Sequence, residues 1–127
     1  MPRQAAGYWE RTSVADCVFC RIASGEIPAT LVHSDNQCVA FRDLNPQAPT
    51  HVLVIPREHI TSVAVATPEQ EPLLGHLVRI AADVARREGL EASGYRLVFN
   101  HGPDAGQSVF HIHLHLLGGR RFAWPPG

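Results

Sequence analysis

The most regular pattern in the chain is Val109-Phe110-His111-Ile112-His113-Leu114-His115-Leu116-Leu117, in which histidine alternates with hydrophobe. A period of two is the signature of a half-buried β-strand, because successive side chains point to opposite faces of a sheet. Val109, His111, His113, His115 and Leu117 share one face, and Phe110, Ile112, Leu114 and Leu116 turn toward a core. Residues 31–33 and 37–42 read as two further strands around a Ser34-Asp35-Asn36 turn, followed by a proline-rich loop, 45–50. Residues 51–56 form a third strand with His51, Leu53 and Ile55 on one face, and residues 95–99 a fourth; the histidine strand closes the sheet.

Two segments switch to helical spacing. Thr67-Pro68-Glu69-Gln70 combines an N-cap, a first-turn proline and a capping-box glutamine. The apolar stripe Leu73, Leu74, Leu77, Ile80, Ala81 and Val84 follows, and Gly89 stops the element. Near the N-terminus, Asp16 is expected to cap a short helix that runs through Ser24 and stops at Gly25. Residues 1–15 show no periodicity and read as a flexible N-terminal extension to one domain, 16–127. The element order predicts an α+β domain: a five-stranded antiparallel sheet with one long helix and one short N-terminal helix.

At 127 residues the chain suits a single core. A net charge of −1 offers no footprint for nucleic acid or an anionic membrane, so the expected partners are small molecules. No apolar run approaches the roughly 18 residues of a membrane span, and no secretory signal opens the chain, so a cytoplasmic protein is expected. Three cysteines, an odd set, argue against a disulfide framework.

The candidate chemistry centres on the three strand histidines. Neighbours at i and i+2 can share a zinc ion at about 2.0–2.1 Å, but i and i+4 lie about 13 Å apart along a strand, which disfavours one metal for all three. A division of labour fits better. Imidazole titrates near neutrality and attacks through one nitrogen while a carbonyl holds the other, which makes the middle residue, His113, the natural nucleophile. The glycine-containing loop Gly102-Pro103-Asp104-Ala105-Gly106-Gln107-Ser108 leads into that strand and suits a phosphate, with Asn100 as a further donor. Asp43 reads from the residue alone as a turn cap, with ribose binding as the rival. Cys17-Val18-Phe19-Cys20 is a C-x-x-C that needs two more ligands to make a metal site; a redox pair would want a thioredoxin-like context that is missing. His33, His76 and His101 read as surface residues.

Taken with Gly106-Gln107-Ser108-Val109-Phe110, Leu117-Gly118-Gly119-Arg120 and Trp124-Pro125-Pro126-Gly127, the motif His111 to Leu117 resembles the histidine-triad (HIT) family, most closely its Hint branch. Phe41-Arg42-Asp43-Leu44 and Pro56-Arg57-Glu58-His59-Ile60 extend the likeness, which covers residues 16–127. The resemblance implies a HIT-like fold and a purine nucleoside phosphoramidase releasing AMP through a nucleotidyl-histidine on His113. It implies that His115, Ser108 and His51 assist catalysis, and that Gly106, Gln107 and Asn100 hold the phosphate end. Asp43 would hold the ribose, reversing the turn-cap reading, and Val18, Phe19, Ile22, Phe41, Leu44 and Leu53 would line the base slot.

Bacterial relatives and the galactose-1-phosphate uridylyltransferases look similar at the cysteine pair, which implies a structural zinc on Cys17, Cys20, His59 and His111. The pair departs from the eukaryotic Hint pattern. The same resemblance implies a homodimer formed by residues 68–88 and 95–99, with Trp124 approaching the partner's site. Rival readings are a dinucleoside-polyphosphate hydrolase, a nucleotidyl transferase, a nucleotide-binding scaffold with vestigial catalysis, and a zinc hydrolase with metal on the triad.

Overall fold

The computed structural model describes residues 14–127; the expected N-terminal extension lies outside them, save Val14 and Ala15, which open a 3-10 turn, Val14–Asp16. A short helix α1 (Val18–Ser24) is followed by β1 (Leu31–Ser34), β2 (Cys38–Arg42) and β3 (Thr50–Pro56), then the long helix α2 (Glu71–Arg87), β4 (Tyr95–Phe99) and β5 (Leu114–Gly118). The five strands form one antiparallel sheet in the order β1-β2-β3-β5-β4. This is the α+β arrangement expected from the pattern.

β3, buried along its whole length, is the hub, because the two helices cover opposite faces of the sheet. Val52 and Val54 join Leu114, Leu116 and the α2 residues Leu77, Ile80, Ala81 and Val84 in the larger core. Leu53 and Ile55 point the other way, to Val39, Phe41 and the α1 residue Phe19. Full burial of each Leu, Val or Ile stabilises by about 1.5–3 kcal/mol, so the α2 stripe alone secures that helix. Gln70 Oε1 accepts from Thr67 N at 2.8 Å, as the expected capping box requires, at a first turn that is 3-10 (Pro68–Gln70). At the far end Gly89 takes φ 77°, which a residue with Cβ resists.

Three expectations need correction. The hydrogen-bonded histidine strand begins at Leu114, not Val109, although the alternation of faces holds upstream. The ladder with β3 runs only from Thr50↔Gly118 to Val54↔Leu114. Beyond it Pro56 has no N–H to give, and Ile112 N turns to Ile60 O at 2.6 Å, drawing the chain off the sheet. Secondly, α1 is capped by Cys17, not Asp16: its Sγ accepts from Cys20 N at 3.4 Å. Thirdly, His33, His76 and His101 are half-buried and bonded rather than free at the surface.

Candidate functional site

The alternation places His111, His113 and His115 on the α1 side of the sheet, beside His51 from β3. Backbone groups fix the proton on each ring. Gln47 N donates to His51 Nδ1 at 3.0 Å, so neutral His51 carries its proton on Nε2 and donates to His115 Nδ1 at 2.9 Å. His115 therefore holds its own proton on Nε2. His113 Nδ1 donates to the carbonyl of His111 at 2.8 Å, which leaves Nε2 as its basic nitrogen. His111 Nε2 donates to Pro56 O at 2.8 Å, which leaves its Nδ1 as the ligand nitrogen.

Electrostatics keep these rings neutral. Burial pushes His115 down to about 4, helped by the neighbouring His113 and His51, against the pull of Asp43. Burial likewise lowers His113 and His51, with Asp43 opposing in both, and brings His111 to about 4. A neutral imidazole with one fixed N–H and one exposed lone pair is the form that a nucleophile or a metal ligand requires.

His113 and His115 line a cleft of about 310 Å³ together with Val18, Phe19, Ile22, Phe41, Asp43, Leu44, Leu53, Ser108 and Val109. Its floor is apolar: Phe19 meets Phe41 edge-on at 5.6 Å and His113 at 5.1 Å between centroids. Leu44 stands at the rim, almost fully exposed. Asp43 suits turn capping and ligand binding together. Its Oδ1 caps the turn by accepting from Asn45 N at 2.8 Å, and its Oδ2 lies 3.5 Å from His51 Nε2.

Three residues expected at the phosphate end, Gln107, Gly106 and Asn100, are outside the lining of this cleft. Gln107 is buried, and its Nε2 donates to Thr61 O at 2.7 Å and Val109 O at 3.2 Å while its Oε1 accepts from Gly102 N at 3.0 Å. Its side chain braces the loop rather than facing the cleft. Gly106, at φ 78°, closes the loop by donating to Pro103 O. Asn100 lines a separate recess with Gln47, Arg96, Arg120 and Trp124. The backbone groups that set the tautomers, Gln47 N and the carbonyls of Pro56 and His111, leave no trace in the sequence.

Behind the cleft, Cys17, Cys20, His59 and His111 bring four ligand atoms within 4.8 Å of one another. His111 Nδ1 lies 3.3 Å from Cys17 Sγ, 3.5 Å from Cys20 Sγ and 3.2 Å from His59 Nδ1, and Cys20 Sγ lies 3.2 Å from His59 Nδ1. A tetrahedral zinc with Zn–N of about 2.0–2.1 Å and Zn–S of about 2.3 Å sets its donors about 3.3–3.8 Å apart, so the cluster fits that ion. The Pro56 carbonyl, by holding His111 Nε2–H, aims the other ring nitrogen at the cluster. Burial and the adjacent Cys17 raise the Cys20 thiol to about 11, a state that a dication would reverse. Asp43, His51 and His115 form another close set, but His51 Nε2 and His115 Nδ1 are already joined by a hydrogen bond.

A family model described as HIT domain matches residues 24–122. An uncharacterized HIT-like protein of Synechocystis sp. is 52% identical over 112 residues, 88% of this chain and 97% of the relative. A 14 kDa zinc-binding protein of Zea mays is 52% identical over 112 residues, 87% of each chain. Among solved structures, a HIT family hydrolase from Legionella pneumophila superposes with a TM-score of 0.86 at 53% identity, over 87% of this chain and 99% of that one.

Proposed function

The chain belongs to the HIT-domain family, and from that footing we propose that it is a nucleotide hydrolase cleaving the P–N bond of purine nucleoside 5′-phosphoramidates and releasing AMP. The observation that carries the reading is His113: Nδ1–H is tied to the His111 carbonyl, and Nε2 is a lone pair on a residue lining the cleft. The Legionella relative, named a hydrolase, supports the reaction class.

In the proposed reaction His113 Nε2 attacks the α-phosphorus while the P–N bond to the amine breaks. Neutral His115 donates Nε2–H to a phosphoryl oxygen and keeps its proton, while the leaving nitrogen takes a proton from solvent, since a P–N bond becomes labile once its nitrogen is protonated. His51, bonded to His115 Nδ1, holds that ring with its Nε2–H toward the phosphoryl group. Water then attacks phosphorus, the P–Nε2 bond of the nucleotidyl-histidine breaks to restore neutral His113, and the water's proton passes to solvent. Asp43 would hold the ribose hydroxyls, and Val18, Phe19, Ile22, Phe41, Leu44 and Leu53 the purine. Ser108 would donate to the phosphate, with Gly106 and Gln107 shaping the loop around it.

Cys17, Cys20, His59 and His111 would hold a structural zinc, a role that the zinc-binding name of the Zea mays relative supports. Bound zinc would lock α1 to the segment before β5. We further propose a homodimer built on β4 and α2. β4 is an edge strand, bonded to β5 on one side alone among the described residues, and Trp124 stands 82% exposed beyond it. No helix among the described residues is long and apolar enough to cross a membrane.

The test is turnover of an adenosine 5′-phosphoramidate beside a diadenosine polyphosphate. Preference for the first is expected, and His113→Ala abolishes it. Preference for the second identifies a dinucleoside-polyphosphate hydrolase, and binding without turnover a scaffold.

A further inference from the structure

A second set of metal-type donors converges far from the cleft, on the α2 face of the sheet, where the first hairpin meets that helix. His33 lies near the end of β1, Asp35 stands in the turn, Cys38 opens β2 and His76 reaches across from α2. Both imidazoles donate to one carboxylate oxygen: His33 Nε2 lies 2.7 Å and His76 Nε2 2.8 Å from Asp35 Oδ2. Cys38 Sγ lies 3.5 Å from the same oxygen. The other oxygen, Oδ1, is held by Gln37 N at 2.7 Å and Cys38 N at 2.8 Å, so the carboxylate has a fixed aim. Ligand atoms of His33, Asp35 and Cys38 fall within 4.8 Å of one another.

A hairpin turn needs only the Oδ1 bonds. Two imidazoles and a buried thiol gathered on Oδ2 exceed that need, and one of them, His76, comes from α2 rather than the hairpin. We propose that His33, Asp35, His76 and Cys38 form a second binding site for a divalent transition-metal ion of the zinc type. Two nitrogens, one carboxylate oxygen and one sulfur make a borderline-soft donor set, which favours zinc over magnesium or calcium. The side chains of His33, His76 and Asp35 are 22%, 26% and 25% exposed, while Cys38 is fully buried beneath them, so the ion enters from solvent onto a sulfur floor.

The hydrogen-bonded arrangement is the metal-free form. On binding, each neutral imidazole moves its proton from Nε2 to Nδ1 and each Nε2 lone pair turns to the metal. The thiol loses its proton to solvent, so one proton is released per ion. Donors about 3.2–3.6 Å apart around zinc require each ring to retreat by about 0.5 Å from the carboxylate, within reach of side-chain rotation. Arg57, whose Nε donates to Asp35 O at 2.7 Å and whose Nη2 donates to Ser34 Oγ at 2.9 Å, is a cation beside the site. With one thiol instead of two and that guanidinium nearby, this site is the weaker of the two.

The experiment is zinc stoichiometry of the full chain by equilibrium dialysis and elemental analysis, paired with nitrogen NMR of its histidines. Two ions per chain are expected, with the second moving the ring nitrogens of His33 and His76 and leaving His51 and His115 in place. His33→Gln/His76→Gln should retain one ion, and His76→Gln alone should weaken the second by about tenfold or more. Zinc that leaves the ring nitrogens of His33 and His76 unmoved overturns the proposal, as does a second ion that survives in the double variant or moves His51 and His115 instead; a single ion that moves His33 and His76 counts against the Cys17 site and not against this one. Should the double variant not fold, the wild-type NMR titration decides by itself, through which ring nitrogens the second ion moves.

Discussion

The proton between His51 and His115 belongs to His51. The Gln47 amide donates to His51 Nδ1, and His51 Nε2 stands 2.9 Å from His115 Nδ1, so His115 is left with its own proton on Nε2. His51→Ala removes the group that fixes that tautomer. In the proposed reaction it should lower kcat by about tenfold to a hundredfold with little change in KM, and His115→Ala, which removes the donor to the phosphoryl oxygen, should cost about 10²–10³ in kcat. Single-turnover AMP release checks both; equal, undiminished rates would sink the roles given to this pair.

Stability should fall in two acidic steps. His115 titrates at about 4 in the fold against 6.5 in an unfolded chain, because burial disfavours its cation. A depressed histidine contributes full stability above 6.5. That contribution is lost as the pH falls through 6.5 toward 4, by about 2–3 kcal/mol, because only the unfolded chain takes up the proton in that window. Burial opposes ionisation of Asp35, but bonds from His33, His76, Gln37 N and Cys38 N outweigh it and hold the carboxyl far below its ordinary range. Its share is present above the ordinary 3.8 and is lost only on further acidification. Denaturant titrations at pH 7.5, 5 and 3 (about one value per regime) should show both steps.

The sheet and long helix are legible in the sequence because their periods are undisturbed: β4 falls on residues 95–99 as expected, and α2 buries its stripe. Legibility fails where backbone decides. Nothing in residues 109–113 reveals that Pro56 ends the ladder, so the alternation runs five residues past the strand itself. Asp16 has the better capping chemistry, yet Cys17 caps α1 because the turn before it, Val14–Asp16, takes up Asp16. Histidine-triad chemistry is visible as residue types, and the tautomers that make it work are not. His33, Asp35 and His76 are invisible as a set because a turn residue and a helix residue meet only after folding.

Phe19 joins the two sites. Its ring meets His111 at 6.0 Å and His113 at 5.1 Å between centroids, and it is 7% exposed. Phe19→Ala should destabilise by about 3–5 kcal/mol through the cavity that it leaves. It should also raise KM for the nucleotide, since the same ring lines the cleft. Phe19→Leu, which keeps most of the volume, should recover stability more fully than affinity. Thermal melts beside Michaelis kinetics separate the two effects.

Removal of metal distinguishes a structural ion from a catalytic one. The Cys17, Cys20, His59 and His111 donors come from the start of α1 and its cap, the loop after β3 and the segment before β5, three pieces that the ion would join at one point. An ion there stabilises the fold by its differential affinity for folded and unfolded chain, so a chelator should lower Tm, and Cys20→Ser should do the same without chelator. The chemistry proposed for His113, His115 and His51 draws on no metal, so AMP release per folded molecule should survive chelation at a temperature where the apoprotein stays folded. Loss of activity with Tm unchanged would reverse the assignment and return the Asp43, His51 and His115 set to consideration as a metal centre.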